Sequence, residues 1–262
     1  MAPAELTITR PHVGEWHALD GELDVGVAYA MHRPDQRWFI TLDSWLDDAY
    51  QTLLTAVTCD IQQDLYITVN DSDYEQLDRC RRLGFAVSRR EDEYRVPTDP
   101  AITGLGEASF PAGLHAVSAA DADVDALRLL DDLLREDIPG ADGWVNDPRE
   151  FQEYTFDPRH FDANAYLVAV DDTTGTYAGL VRVWNEPGQR LLGLIAVVRA
   201  YRRRGVARAL LAAAFRPLHN QGVGQVAAEV DVTNNASASL LRRLGARRIG
   251  GSVEMLRRTA QP

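Results

Sequence analysis

The pentapeptide RRLGF at Arg81–Phe85 returns as RRLGA at Arg242–Ala246, 161 residues later. At that offset LYITVNDSD (Leu65 to Asp73) overlies the strand ending in EVDV and the TNN after it, and a helix expected from Trp45 answers one expected from Val206. Strand, helix, glycine stop and return strand therefore follow in the same order twice. A repeat of this kind restricts the chain to two copies of one α+β unit, and 262 residues leave room for a core in each.

Along the first copy, LDVGVAYAM and RWFITL alternate as strands, and Trp45–Val57 has helical spacing with Ser44 and Asp47 at capping-box separation. Leu65–Val69 reads as a strand and Tyr74–Leu83 as a helix stopped by Gly84; FAVSRRE and DEYRVP then suggest a closing hairpin. Pro97–Gly113, rich in Pro and Gly and without a period, reads as a linker. Domains are thus expected at residues 1–98 and 113–262, with 99–112 between them. The second copy opens with an acidic helix, Ala120–Glu136, and another near Arg149–Tyr154. Strands are expected at Ala165–Val170, Tyr177–Trp184, Leu191–Val198 and Gln225–Val232, and helices from Val206 to about Phe215 and over Ser237–Leu244, before RRIG and VEMLRR close the domain.

The composition excludes several functions. The chain has no lysine, which rules out a Schiff base and a phosphate loop ending in Lys. Cys59 and Cys80 form neither a metal spacing nor a disulfide framework, so no metal is expected. No apolar run is long enough for a membrane span and the N-terminus lacks a signal-peptide core, so the expected location is the cytoplasm. Charge is unevenly spread. Residues 1–100 carry 9 Arg against 19 Asp and Glu, residues 101–198 carry 6 against 17, and residues 199–262 carry 12 against 3. The acidic majority would repel nucleic acid, but it suits a cationic partner.

The basic end contains LGLIAVVRAYRRRGVARALL, Leu192 to Leu211. A short apolar run rich in β-branched residues meets a basic turn at Arg202–Gly205, and helical spacing begins at Val206. The first N–H groups of a helix lack intrahelical partners and lie at the positive end of its dipole, so such a junction receives an anion. Arg202, Arg203, Arg204 and Arg208 add charge, and a pyrophosphate is the natural guest.

These residues resemble the GNAT superfamily of N-acetyltransferases. Arg202-Arg203-Arg204-Gly205-Val206-Ala207 fits its [Q/R]-x-x-G-x-[G/A] signature, and Val197 to Arg202 fits the lead-in V-x-P-x-Y-R with Arg199 in place of Pro. Asn234, Ser237, Leu240, Leu241 and Gly245-Ala246 follow N-x-x-A-x-x-L-Y-x-x-x-G-F. The resemblance covers about Ala112 to Arg258 and, more loosely, the first copy. It implies two tandem GNAT-like domains, each a mixed, mostly antiparallel sheet flanked by helices. Acetyl-CoA would lie where the Val197 and Val230 strands splay apart. Backbone groups of Ile195, Ala196 and Val197 would hold its pantetheine arm, and Arg203, Arg204, Gly205, Val206, Ala207 and Arg208 its pyrophosphate, with Asn234 nearby.

By the same resemblance Glu229, five residues before Asn234, would be the base, with Asp231 on the same strand face. The family's tyrosine position is Leu241, which cannot donate a proton, so Ser237, Tyr201 or water would protonate the thiolate. Asp137, Asp142, Trp144, Asp147 and Glu153 are candidates to meet a cationic acceptor. The first copy has Asp43, Asp47 and Asp48 where phosphates would dock, Asp73 for the motif Asn and Cys80 for the tyrosine, so one acetyl-CoA per chain is expected. The implied activity is acetyl transfer to a primary amine on a small cationic molecule by a monomer or homodimer. A peptide N-terminus is the alternative acceptor, and a non-catalytic acyl-CoA sensor the alternative role.

Overall fold

The computed structural model describes residues 6–33, 35–139 and 145–259. In chain order the elements are β1 (Thr7–Thr9), β2 (Glu15–Asp20), β3 (Leu23–His32), β4 (Trp38–Ser44), α1 (Asp47–Ile61), β5 (Leu65–Asn70), α2 (Tyr74–Arg82) and β6 (Ala86–Pro97). Then come α3 (Pro100–Thr103), β7 (Leu114–Ser118), α4 (Val124–Arg135), α5 (Pro148–Thr155), β8 (Tyr166–Asp171), β9 (Tyr177–Glu186) and β10 (Gln189–Val197). The last four are α6 (Val206–Asn220), β11 (Gln225–Asp231), α7 (Asn235–Arg243) and β12 (Arg247–Arg257). No helix among the described residues is long and apolar enough to cross a membrane.

Two compact units form, but their boundaries differ from those expected. One unit comprises the residues up to Arg90 together with those from Gly251 onward, and the other is Glu91–Gly250. In the first, β1 to β4 are antiparallel neighbours, β4 runs parallel to β5, and β5 pairs antiparallel with the end of β12 from Ser252↔Asn70 to Arg257↔Leu65. In the second, β7 to β10 are antiparallel, β10 runs parallel to β11, and β11 pairs antiparallel with the end of β6 from Gln225↔Pro97 to Asp231↔Glu91.

The expected closing hairpin is therefore a single strand, as is the stretch that closes the second copy. Nothing between Ala86 and Pro97 supplies a turn, and β12 runs straight through Gly250 and Gly251. Nor is the Pro- and Gly-rich stretch a free linker. It contains α3, buries Thr103 and Leu105, and donates the Thr98 hydroxyl to the Val223 carbonyl within the second unit. The expected capping box of α1 is absent too. Ser44 Oγ bonds the Leu46 N–H at 3.0 Å and the Val25 carbonyl at 2.6 Å, and the helix begins at Asp47.

The repeat itself is built twice in atomic detail. Asp73 and Asn234 each cap a helix by accepting an N–H three residues on, at 3.0 Å in both cases. Gly84 and Gly245 each end that helix at positive φ, and Phe85 N–H to Cys80 carbonyl is answered by Ala246 N–H to Leu241 carbonyl.

In the second unit the sheet separates two apolar layers. Val206, Leu210, Leu211, Phe215 and Leu218 of α6 pack with Val226, Ala228 and Val230 of β11 on one face. On the other, Leu127, Leu130 and Leu134 of α4 and Phe151 of α5 pack with Tyr166, Val168, Leu180 and Leu194.

Candidate active site

β10 and β11 pair at one position, Leu191↔Ala227. Beyond it each strand follows its other neighbour, β10 to Val197↔Gly179 on β9 and β11 to Asp231↔Glu91 on β6. A bulge between Leu192 and Leu194 bends β10 at the point of separation. Because the Val198 N–H bonds the Ala178 carbonyl, alternation turns the backbone groups of Ile195 and Val197 away from β9 and toward the gap. Those of Ala196 face β9, so the sheet itself engages the backbone expected to hold a ligand there.

The gap leads to the basic turn. Arg203 has φ 63° and Gly205 φ 89°, and α6 starts after Gly205 with no side chain capping it. Left-handed residues alternating ahead of an uncapped helix gather N–H groups into an anion-binding concavity. A Cβ at Gly205 would meet no atom within 4 Å, so it is the positive φ that favours glycine there.

The side chains of this turn divide in two. Arg202 donates from Nε to the Val197 carbonyl at 2.8 Å and from Nη2 to Asp137 Oδ2 at 2.5 Å. Arg208 donates to the Gly104 carbonyl. Tyr201 donates its hydroxyl to Asp171 at 3.0 Å, and this bond raises its phenol above the ordinary value. Arg203 and Arg204 are exposed, the latter 5.3 Å from the Tyr201 ring. Sequence reading placed four arginines around one anion; in the structure Arg202 and Arg208 have partners within the chain, Arg202 on Val197 and Asp137 and Arg208 on Gly104.

Val226, Ala228 and Val230 face α6, so Glu229 and Asp231 point to the sheet face that carries α4 and α5. Glu229 is exposed, whereas Asp231 is 8% exposed and accepts the Thr233 N–H at 2.8 Å and its hydroxyl at 2.5 Å. Register places Glu93 directly opposite Glu229 and Glu91 opposite Asp231. Two like-charged pairs face each other across a ladder where each normally costs stability. Sequence reading missed Glu91 and Glu93, although the alternation in EDEYRV was the available signal: Tyr94 and Val96 join the α6-face core, which leaves the glutamates on the other face.

Other expected residues have local partners. Asn234 caps α7 through the N–H of half-buried Ser237, and Leu241, 2% exposed, belongs to the core. Asp147 caps α5 through the N–H groups of Arg149 and Glu150, and Glu153 pairs with Arg149 at 2.9 Å on an exposed helix face. Asp142 and Trp144 lie outside the described residues.

The buried polar centre of this face is Asp131 of α4. It accepts from Arg182 of β9 at 3.0 Å, from Arg135 at 2.5 Å, and from Asn146, which precedes α5, at 3.0 Å. Burial pushes its carboxyl upward, but Arg182 and Arg135 outweigh that and hold it below the ordinary value. A charge buried this deeply needs such partners, and they tie α4 to the sheet.

Residues 127–246 match the model of the acetyltransferase (GNAT) family. No curated protein matches the chain in sequence. A GCN5-related N-acetyltransferase from Sphaerobacter thermophilus superposes with a TM-score of 0.73 at 17% identity, over 97% of this chain and 83% of that one. A tandem GNAT protein from the clavulanic acid biosynthesis pathway gives 0.68 at 17% identity, over 99% and 85%. A GCN5-related N-acetyltransferase from Kribbella flavida gives 0.54 at 12% identity, over 96% and 89%. At these identities the likeness is one of fold, and it extends over both halves. Residues 127–246 therefore carry an acetyltransferase (GNAT) family domain, within a chain of two α+β units that shares the fold of these structures along its length.

Proposed function

We propose that the second unit transfers acetyl from acetyl-CoA to a primary amine on a small cationic acceptor. The observation that carries this is the gap between β10 and β11, which opens onto an uncapped helix at one end and has Glu229 on its wall. In this reading the backbone N–H groups of Gly205, Val206, Ala207 and Arg208 receive the pyrophosphate, with Arg203 and Arg204 adding charge. The free edge at Ile195 and Val197 pairs with the pantetheine arm and donates to the thioester oxygen as charge develops on it. Glu229 accepts the ammonium proton, directly or through water. Glu91, Glu93 and Asp231 make the surroundings favour a cation. Tyr201, bonded to Asp171 and with its phenol raised, is held protonated.

Thiol release from acetyl-CoA over a panel of primary amines tests the reading. Di- and polyamines should release thiol faster than acidic amino acids and faster than peptide N-termini. If no amine raises the rate above the amine-free background, the reading fails.

The cofactor assignment has its own test. Calorimetry should give one acetyl-CoA per chain, and Gly205→Asp should abolish binding because it strains the turn and puts a carboxylate beside the phosphate. Undiminished affinity in that variant would remove the turn from the site.

A further inference from the structure

Arg202 occupies the first position of the glycine signature, yet its guanidinium contacts two parts of the chain's own structure. Nε holds the carbonyl of Val197, the last residue of β10, and that carbonyl points into the gap. Nη2 holds Asp137, two residues beyond the end of α4, across 65 positions of sequence. The planar fork of arginine makes both bonds at once, which a single ammonium cannot reproduce in the same geometry. The Arg202 contact also holds the Asp137 carboxyl below its ordinary value.

The far end of this link is anchored firmly. Six residues before Asp137, Asp131 pins α4 to β9 through buried Arg182, and Arg182 lies opposite Leu194, next to the bulge of β10. Helix α4 is therefore linked to the surroundings of β10 at two points, through Arg182 of the neighbouring β9 and through Arg202. One is buried and rigid; the other is half-exposed and runs through Arg202 to the free edge. A displacement of the Val197 carbonyl when that edge pairs with a ligand has a direct route to the end of α4.

We propose that Arg202 is a positioning residue that couples occupancy of the cofactor gap to the acceptor-side helix α4 through Asp137. The proposal rests on the reading of the gap as the acetyl-CoA site. It reassigns Asp137 from meeting the acceptor to setting the end of the acceptor-side helix. It also separates Arg202 from Arg203 and Arg204, which act on the phosphates by charge.

Hydrogen–deuterium exchange with and without acetyl-CoA tests this on the full chain, alongside calorimetry. In the wild type, acetyl-CoA should slow exchange both at residues 192–208 and at the end of α4, residues 133–138. Arg202→Lys keeps the charge and loses the fork. It should leave the acetyl-CoA Kd within about threefold, as expected where no ligand contact is removed, and lose the protection at 133–138 alone. Asp137→Asn should do the same, Asp137→Glu should restore part of the coupling, and the double variant should be no worse than Arg202→Lys.

Wild-type protection confined to 192–208 would overturn the proposal. So would an Arg202→Lys protein that behaves as wild type while Arg202→Ala loses acetyl-CoA binding, since Arg202 would then be a phosphate ligand. Failure of the wild type to bind acetyl-CoA at all would instead overturn the site reading, and the coupling with it.

Discussion

Cut between Gly106 and Glu107, the chain should remain in one piece under native conditions and still bind acetyl-CoA. Glu107 is exposed, so a protease site can be introduced there. The cut leaves fragments 1–106 and 107–262, and each compact unit then contains polypeptide from both. The first unit draws residues 251–257 of β12 from the downstream fragment, and the second draws residues 91–97 of β6 from the upstream one. Gel filtration should show a one-to-one complex that separates only in denaturant.

The opposite experiment should fail badly. A fragment 113–262, which follows the domain boundary expected from sequence, lacks the strand beside β11 and loses Tyr94 and Val96 from the α6-side core. Burying two such side chains is worth about 3–6 kcal/mol, a large share of the roughly 5–15 kcal/mol that holds a domain together. It also leaves β11 as an exposed edge whose flanks are apolar. The fragment should be recovered as aggregate, or should melt far below the full chain. A soluble 113–262 fragment with full acetyl-CoA affinity, or a cut chain whose pieces part on the column, would show that the exchanged strands contribute little.

That exchange could not be read from the sequence, and the reason is physical. A strand pattern of period two says which side chains share a face but not which strand lies alongside, so EDEYRVP looks the same whether it closes its own unit or completes another. Local signals carried further. Gly84 and Gly245 were legible because a positive φ after a helix is decided within a few residues, and Asp73 and Asn234 were legible as matching positions of the repeat, though not as caps. The turn that opens α6 at Gly205 was legible for the same reason as the two glycines. The employment of Arg202 and Arg208 was hidden because their partners, Asp137 and Gly104, lie 65 and 104 positions away. Glu91 and Glu93 stood in plain view, but they joined the acidic face of β11 only once register set them opposite Asp231 and Glu229.

The same register gives the sharpest chemical expectation. Glu229→Gln should lower kcat/KM for a primary amine by about 10²–10⁴ at pH 7, the usual contribution of a general base. The loss should shrink as pH rises. An alkylammonium resembles lysine, with a pKa near ~10.4, so at neutral pH nearly every acceptor carries a proton that must leave before nitrogen can attack. As pH approaches that value solvent supplies the free amine and the carboxylate matters less, so the variant's profile should climb steeply where the wild type's has flattened. Glutamine keeps the size of the side chain and removes one charge from the block formed with Glu91, Glu93 and Asp231, so loss of cation attraction alone is a competing cause. Glu93→Gln controls for it: the same charge is removed from the position opposite, which should raise KM for dications and leave the shape of the pH profile unchanged. If Glu229→Gln also raises only KM, with kcat and the pH profile intact, Glu229 attracts the acceptor but does not deprotonate it.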